Sequence, residues 1–167
     1  MGAILIFEGI DGSGKSTAID STLQRYADKN IKTDFHHNGK FINQAKAHKA
    51  YRIQLFNALS FDGITILDRA YIAELLYSKV YNKHEDDIED YKKLDEAFNR
   101  AGANIIWCNP PYEQCHLNWS ERLEQEAFTD PIKYIELYKM HQIIPYITKC
   151  PVSMYDYTRN QDDKNSH

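Results

Sequence analysis

The chain has 167 residues, with 20 Lys and Arg against 24 Asp and Glu for a formal charge of −4. That length suits one domain and falls short of two, and 43% hydrophobic with 26% charged residues excludes a disordered or low-complexity chain. Without a basic surplus no stable nucleic-acid partner is expected, and without a run near about 18 apolar residues no membrane span is expected either.

Ala3-Ile4-Leu5-Ile6-Phe7 is a continuous apolar run of strand length, the pattern of a strand buried on both faces of a parallel sheet. Residues 15–29 follow with a helical pattern that turns Ala18, Leu23 and Tyr26 inward. Residues 31–36 read as a short second strand and residues 41–59 as a second helix. Residues 63–67 are a third strand, followed by a helix over 70–81. The stretch 84–90 carries Glu85, Asp86, Asp87, Glu89 and Asp90, reads as a solvated helix face, and continues helically to Arg100. Gly102 then closes that helix. Residues 103–108 form a fourth strand stopped by Pro110 and Pro111, residues 111–149 a helical region with one break, and residues 152–155 the last strand.

This order predicts an α/β fold: a mostly parallel five-stranded sheet with helices on both faces. Residues 1–158 read as a single domain with a short lid near 117–126, and residues 159–167 as a frayed tail. Cys108, Cys115 and Cys150 contain no CxxC pair, which suits a reducing compartment. The N-terminal run lacks the charged start and cleavage site of a secretory signal, and Ile6 stands where myristoylation wants Ser or Thr. A cytoplasmic location is expected, in the host cytoplasm if the chain is viral.

Gly9-Ile10-Asp11-Gly12-Ser13-Gly14-Lys15-Ser16 satisfies G-x-x-x-x-G-K-S/T directly after the first strand and directly before the first helix. Glycines let successive N–H groups point at phosphate oxygens, and the helix start adds its dipole. Gly9, Asp11, Gly12, Ser13, Gly14, Lys15, Ser16 and Thr17 therefore form the candidate nucleotide-binding segment. Lys15 is expected on the β- and γ-phosphates of ATP and the Ser16 hydroxyl on Mg²⁺. No Asn-Lys-x-Asp accompanies the loop, so a GTPase is disfavoured, and the chain is short for a motor. A small phosphotransferase with a P-loop kinase sandwich is left.

Four blocks resemble the thymidylate kinase family. Phe7 to Thr17 is similar to its phosphate-loop opening, Leu67-Asp68-Arg69 with Tyr77 to its Asp-Arg motif, and Ala50 to Leu55 to the helix carrying a base-reading Arg. Arg122 to Phe128, with Tyr138 downstream, resembles the lid segment. The resemblance implies a catalytic set of Lys15, Asp68, Arg69 and Arg122. Arg69 would clamp the acceptor monophosphate, Asp68 would position the metal's water or that Arg, and Arg122 would be the lid arginine, since Gly12 stands where some members carry one. It also implies Arg52 on a pyrimidine carbonyl, Tyr77 under a deoxyribose, and Asp11 on the 3′-hydroxyl. The family commonly forms homodimers, so a homodimer is expected.

Several positions depart from that pattern. Asp34-Phe35-His36-His37-Asn38-Gly39 replaces an Arg-Glu-Pro motif, His48 replaces a base-stacking Phe, and Ala70 and Ala73 replace a Tyr and a Ser. His48 and Ala73 invite a roomier base pocket, for a 5-substituted pyrimidine. A phosphate acceptor is already largely ionised at neutral pH and needs no general base, its second pKa lying near 6. A hydroxyl acceptor does need one, and Asp34 is the carboxylate nearest the second strand's end. The sequence thus points to a deoxynucleoside monophosphate kinase that passes the ATP γ-phosphate to a deoxypyrimidine monophosphate such as dTMP. The alternatives are a deoxynucleoside kinase, a kinase of modified bases in DNA, and a non-catalytic nucleotide-binding regulator.

Overall fold

The apolar runs of the sequence become strands β1 (Ala3–Glu8), β2 (Thr33–His37), β3 (Ile64–Asp68), β4 (Ala103–Cys108) and β5 (Val152–Tyr155). They form one sheet in the order β2-β3-β1-β4-β5 with every pairing parallel. The computed structural model describes residues 2–39, 44–81, 88–126 and 129–159. The expected α/β architecture is the one observed.

Alternation along β1 explains the two layers around the sheet. Ile4 and Ile6 face a core shared with Ala103 and Ile105 of β4, with α2 (Gln44–Ser60), α3 (Tyr71–Tyr81) and α4 (Ile88–Arg100), and with Cys115, Trp119, Tyr134, Leu137 and Ile144 from the helices after β4. Phe7 faces the other way, onto Ala18 and Ile19 of α1 (Lys15–Ala27), with Ile66 and Cys108 beside it. Each fully buried Ile or Phe contributes about 1.5–3 kcal/mol, so this central strand holds both layers together. Ala18 faces inward as expected, Leu23 and Tyr26 pack at the edge of that core, and Ile19 joins it. Cys108, Cys115 and Cys150 are free and buried. No helix among the described residues is long and apolar enough to cross a membrane.

Most boundaries shift by one or two residues, while β4 and β5 fall where the sequence puts them. Gly102 takes φ +75 and closes α4 by donating to Asn99 O at 3.0 Å. The region 111–149 is not one broken helix. It divides into α5 (Tyr112–Ser120), a 3₁₀ turn (Leu123–Gln125), α6 (Pro131–His141) and α7 (Ile144–Ile147). Asp130 and Pro131 start α6: Asp130 Oδ1 accepts from Ile132 N at 2.9 Å, and proline fits the first turn. The expected lid stretch 117–126 therefore comprises the last turn of α5 and the 3₁₀ turn. Residues 41–43 of the expected second helix, Glu85 to Asp87, Ala127, Phe128 and the tail 160–167 lie outside the described residues.

Glu8, the last residue of β1, is wholly buried and receives the Ala70 N–H at 2.9 Å. Burial pushes its carboxyl up to about 8, against that hydrogen bond and the nearby Arg69 and Lys15. Its folded pKa is raised, so its contribution is fully present below about pH 4.5 and lost as pH rises through about 8. In urea titrations across pH, wild-type stability should fall relative to Glu8→Gln by about 1.4 kcal/mol per pH unit between those limits, then level off. Parallel curves would mean that Glu8 is ionised in the fold.

Candidate active site

The carboxyl ends of β1, β3 and β4 meet where strand order reverses about β1, the place at which open α/β sheets bind ligands. Here the loop after β1 turns through Gly12 (φ +83) and Gly14 (φ +76), conformations that glycine adopts without a Cβ clash. A side chain on Gly12 would collide with the Cys115 carbonyl of α5, and one on Gly14 would come within 2.8 Å of the Tyr157 ring. The peptide between Gly12 and Ser13 is held at both ends. Ser13 N donates to Ile10 O at 3.2 Å, and Asn118 Nδ2 donates to Gly12 O at 2.9 Å. Asn118 Nδ2 also donates to the Tyr157 hydroxyl oxygen at 2.8 Å, so one α5 side chain braces the loop against the segment after β5. Gly14 then leads into α1 with no side chain capping the helix among the described residues, leaving first-turn N–H groups for an anion.

The loop borders a cavity of about 670 Å³ that Ser16, Thr17, His37, Asp68, Arg69 and Arg122 also line. Its charges come in pairs. Lys15 Nζ binds Asp68 Oδ1, and both side chains are buried. Burial alone would raise the Asp68 pKa, but the Lys15 ammonium, the hydrogen bonds from Lys15 and His37 and the nearby Arg69 together hold the carboxyl below its ordinary range. The other carboxylate oxygen of Asp68 lies 2.6 Å from His37 Nδ1, whose ring is 62% exposed. Arg69 binds Asp11, and its guanidinium carbon sits 5.4 Å from the Tyr77 ring centroid. The Tyr77 hydroxyl donates to Asp11 Oδ2 at 3.4 Å.

The residues implied by the resemblance thus fall into two groups. Lys15, Ser16, Asp68, Arg69 and Arg122 share one cavity, and Asp11 and Tyr77 join Arg69. Arg122 is exposed after α5, with its Nε donating to Asn118 O at 3.3 Å. His48 and Arg52 lie elsewhere. His48 Nδ1 is 2.9 Å from Asp90 Oδ2, and Arg52 Nη2 donates to Asp90 Oδ1 at 2.8 Å, so α2 is tied to α4. Asp90, expected on a solvated face, is therefore an ion-pair partner, and its hydrogen bond to His48 lowers its pKa. Ala70 and Ala73 are buried in the larger core and do not line the phosphate-loop cavity. Asp34 pairs with His36 Nε2 at 2.8 Å and does not line it either, whereas His37 does.

Several site residues carry no signal in the sequence. Asn118 is one example. Tyr134 is another: its hydroxyl donates to Asp11 O at 2.7 Å while its ring stacks on Trp119 at 4.2 Å. His141 is a third, wholly buried against Tyr77 and donating from Nδ1 to Leu137 O, with burial lowering its pKa to about 4. It is therefore neutral at physiological pH.

No protein-family model matches the chain, and no curated protein matches it in sequence. Solved structures do. The chain is similar to YorR protein from Bacillus subtilis in complex with phosphorylated GDP, at 11% identity and a TM-score of 0.69, over 98% of this chain and 99% of that one. It is also similar to deoxyadenosine kinase from M. mycoides with the products dCMP and a flexible dCDP bound, at 13% identity and a TM-score of 0.56, over 98% and 100% of the two chains. At these identities the likeness is one of fold, a parallel α/β sandwich shared over 98% of this chain.

Proposed function

We propose that the chain is an ATP-dependent deoxynucleoside monophosphate kinase of the thymidylate kinase type, acting on a deoxypyrimidine monophosphate such as dTMP or a 5-substituted analogue. One observation carries this reading: Lys15 and Arg69, from two different elements, face one cavity, and each rests on a carboxylate whose place a phosphate could take. Lys15 serves the β- and γ-phosphates of ATP. Arg69 holds the acceptor's phosphate, and Arg122 approaches from above to share the charge of the moving group.

Phosphoryl transfer asks mainly for positioning and charge compensation. The acceptor phosphate is nucleophilic as it stands, so the reading requires no general base. Ser16 presents an exposed hydroxyl and Asp68 a carboxylate to the cavity, hard oxygen donors that suit Mg²⁺ together with phosphate oxygens. These two residues would hold the ion, which when bound neutralises charge on the β- and γ-oxygens. Asp11 and Tyr77, already joined to Arg69, bound the sugar side, with Asp11 available to a 3′-hydroxyl. Arg52, half-exposed, keeps its proposed part in base selection, exchanging Asp90 for the base, while the buried His48 and Ala73 would shape that side only from beneath.

A second reading, a deoxynucleoside kinase, draws on His37. With Asp68 accepting from Nδ1–H, a neutral His37 offers Nε2 as an acceptor to a hydroxyl in the cavity. ADP release from Mg-ATP distinguishes the two. Turnover should appear with dTMP and other deoxy monophosphates and be absent with thymidine; turnover on thymidine alone would move the assignment to the second reading. Arg122→Ala should lower kcat by about 10³ while calorimetric ATP affinity stays within about threefold. Equal loss of both would assign Arg122 to donor binding instead.

A further inference from the structure

We propose that Asn38, held in place by Gln54, is the positioning residue that keeps Arg69 in its working geometry. The inference rests on the reading that Arg69 receives the acceptor's phosphate, and it assigns a task to the segment after β2, where the resemblance finds no counterpart.

Arg69 follows β3 with φ +64, in the left-handed region that L side chains rarely adopt. Such a backbone persists where its neighbours over-determine it. Its N–H donates to Phe7 O of β1 at 2.9 Å, and its carbonyl accepts from Asn38 Nδ2 at 2.6 Å. Asn38 is itself fixed. It is buried, and its backbone N–H donates to Asp68 O at 3.0 Å, carrying the β2–β3 ladder one residue past the strand. Its second amide hydrogen reaches Gln54 Oε1 at 3.2 Å, and Gln54 Nε2 donates back to Asn38 Oδ1 at 2.7 Å.

The Arg69 carbonyl decides which way the Asn38 amide faces, because it can only accept and a flipped amide would set two oxygens against each other. With the amino group so turned, the reciprocal pair with Gln54 of α2 takes up Oδ1 and the second amide hydrogen and locks the side chain in place. Asn38, held by Gln54, in turn keeps the Arg69 backbone left-handed. That backbone aims the guanidinium at Asp11 and over Tyr77. Without the clamp, Arg69 relaxes toward ordinary φ and its side chain leaves the direction it shares with Lys15.

Two readouts on the full chain test the clamp, using Asn38→Asp, Asn38→Ala and Gln54→Ala. Asn38→Asp keeps the side chain's shape and removes the donor. The KM for dTMP should rise about tenfold with the KM for ATP unchanged within about twofold. The second readout needs no substrate. Arg69 Nε is buried with no hydrogen-bond partner among the described residues, so its Nε–H NMR signal, assigned with Arg69→Lys, should exchange slowly in wild type and about tenfold faster in the Asn38 variants. Asn38→Ala with Gln54→Ala should be no worse than Asn38→Ala alone, since the two act as one unit.

An unchanged Arg69 exchange rate overturns the proposal, as does a common rise of both KM values tracking a fall in Tm. If wild type ignores every monophosphate while the variants still free the Arg69 signal, the clamp stands and the acceptor assignment fails. Should the Asn38 variants not fold, Gln54→Ala alone decides, a smaller shift in the same direction supporting the clamp and no shift overturning it.

Discussion

A buried cation needs a countercharge, and the Lys15–Asp68 pair supplies it beside the loop that follows β1. Both side chains are buried, and removing one partner of such a pair costs about 3–5 kcal/mol because the other is stranded out of water. The pair joins the first residue of α1 to the last residue of β3, so it also fixes where the phosphate loop lies against the sheet. Arg69 and Asp11 repeat the device one strand position on. Each cation is thus held in place by a carboxylate from another segment of the chain.

What the sequence discloses is what is local along the chain. A two-sided strand such as β1 must be apolar without interruption, and Ala3 to Phe7 is. A helix end that needs a left-handed residue shows a glycine, and Gly102 takes φ +75. The phosphate loop is legible for the same reason, because its glycines, lysine and hydroxyl are consecutive. Asp130-Pro131 was an equally local sign of the α6 start, masked by the long helical pattern around it.

What stays hidden is the pairing of residues brought together only by the sheet. Gly12 and Asn118 stand 106 positions apart, and Asp68 and His37 are 31 apart. Nothing in either local context announces the match. Asp90 illustrates the risk: a run of carboxylates reads as a solvated face, yet one member turns to His48 and Arg52 across the α2–α4 contact. Burial of Ala70 and Ala73 is hidden likewise, since a small residue marks an open wall and a tightly covered one equally well.

The seat of Gly12 has a consequence for how this chain can change. Because the Cys115 carbonyl of α5 occupies the space where a Cβ would go, every single-codon path that adds a side chain at position 12 runs through a displaced helix. The obstruction is main chain, so no compensating substitution at position 115 relieves it. A side chain at position 12 is thereby barred by α5, whereas Arg122, on the stretch beyond Ser120, stands exposed.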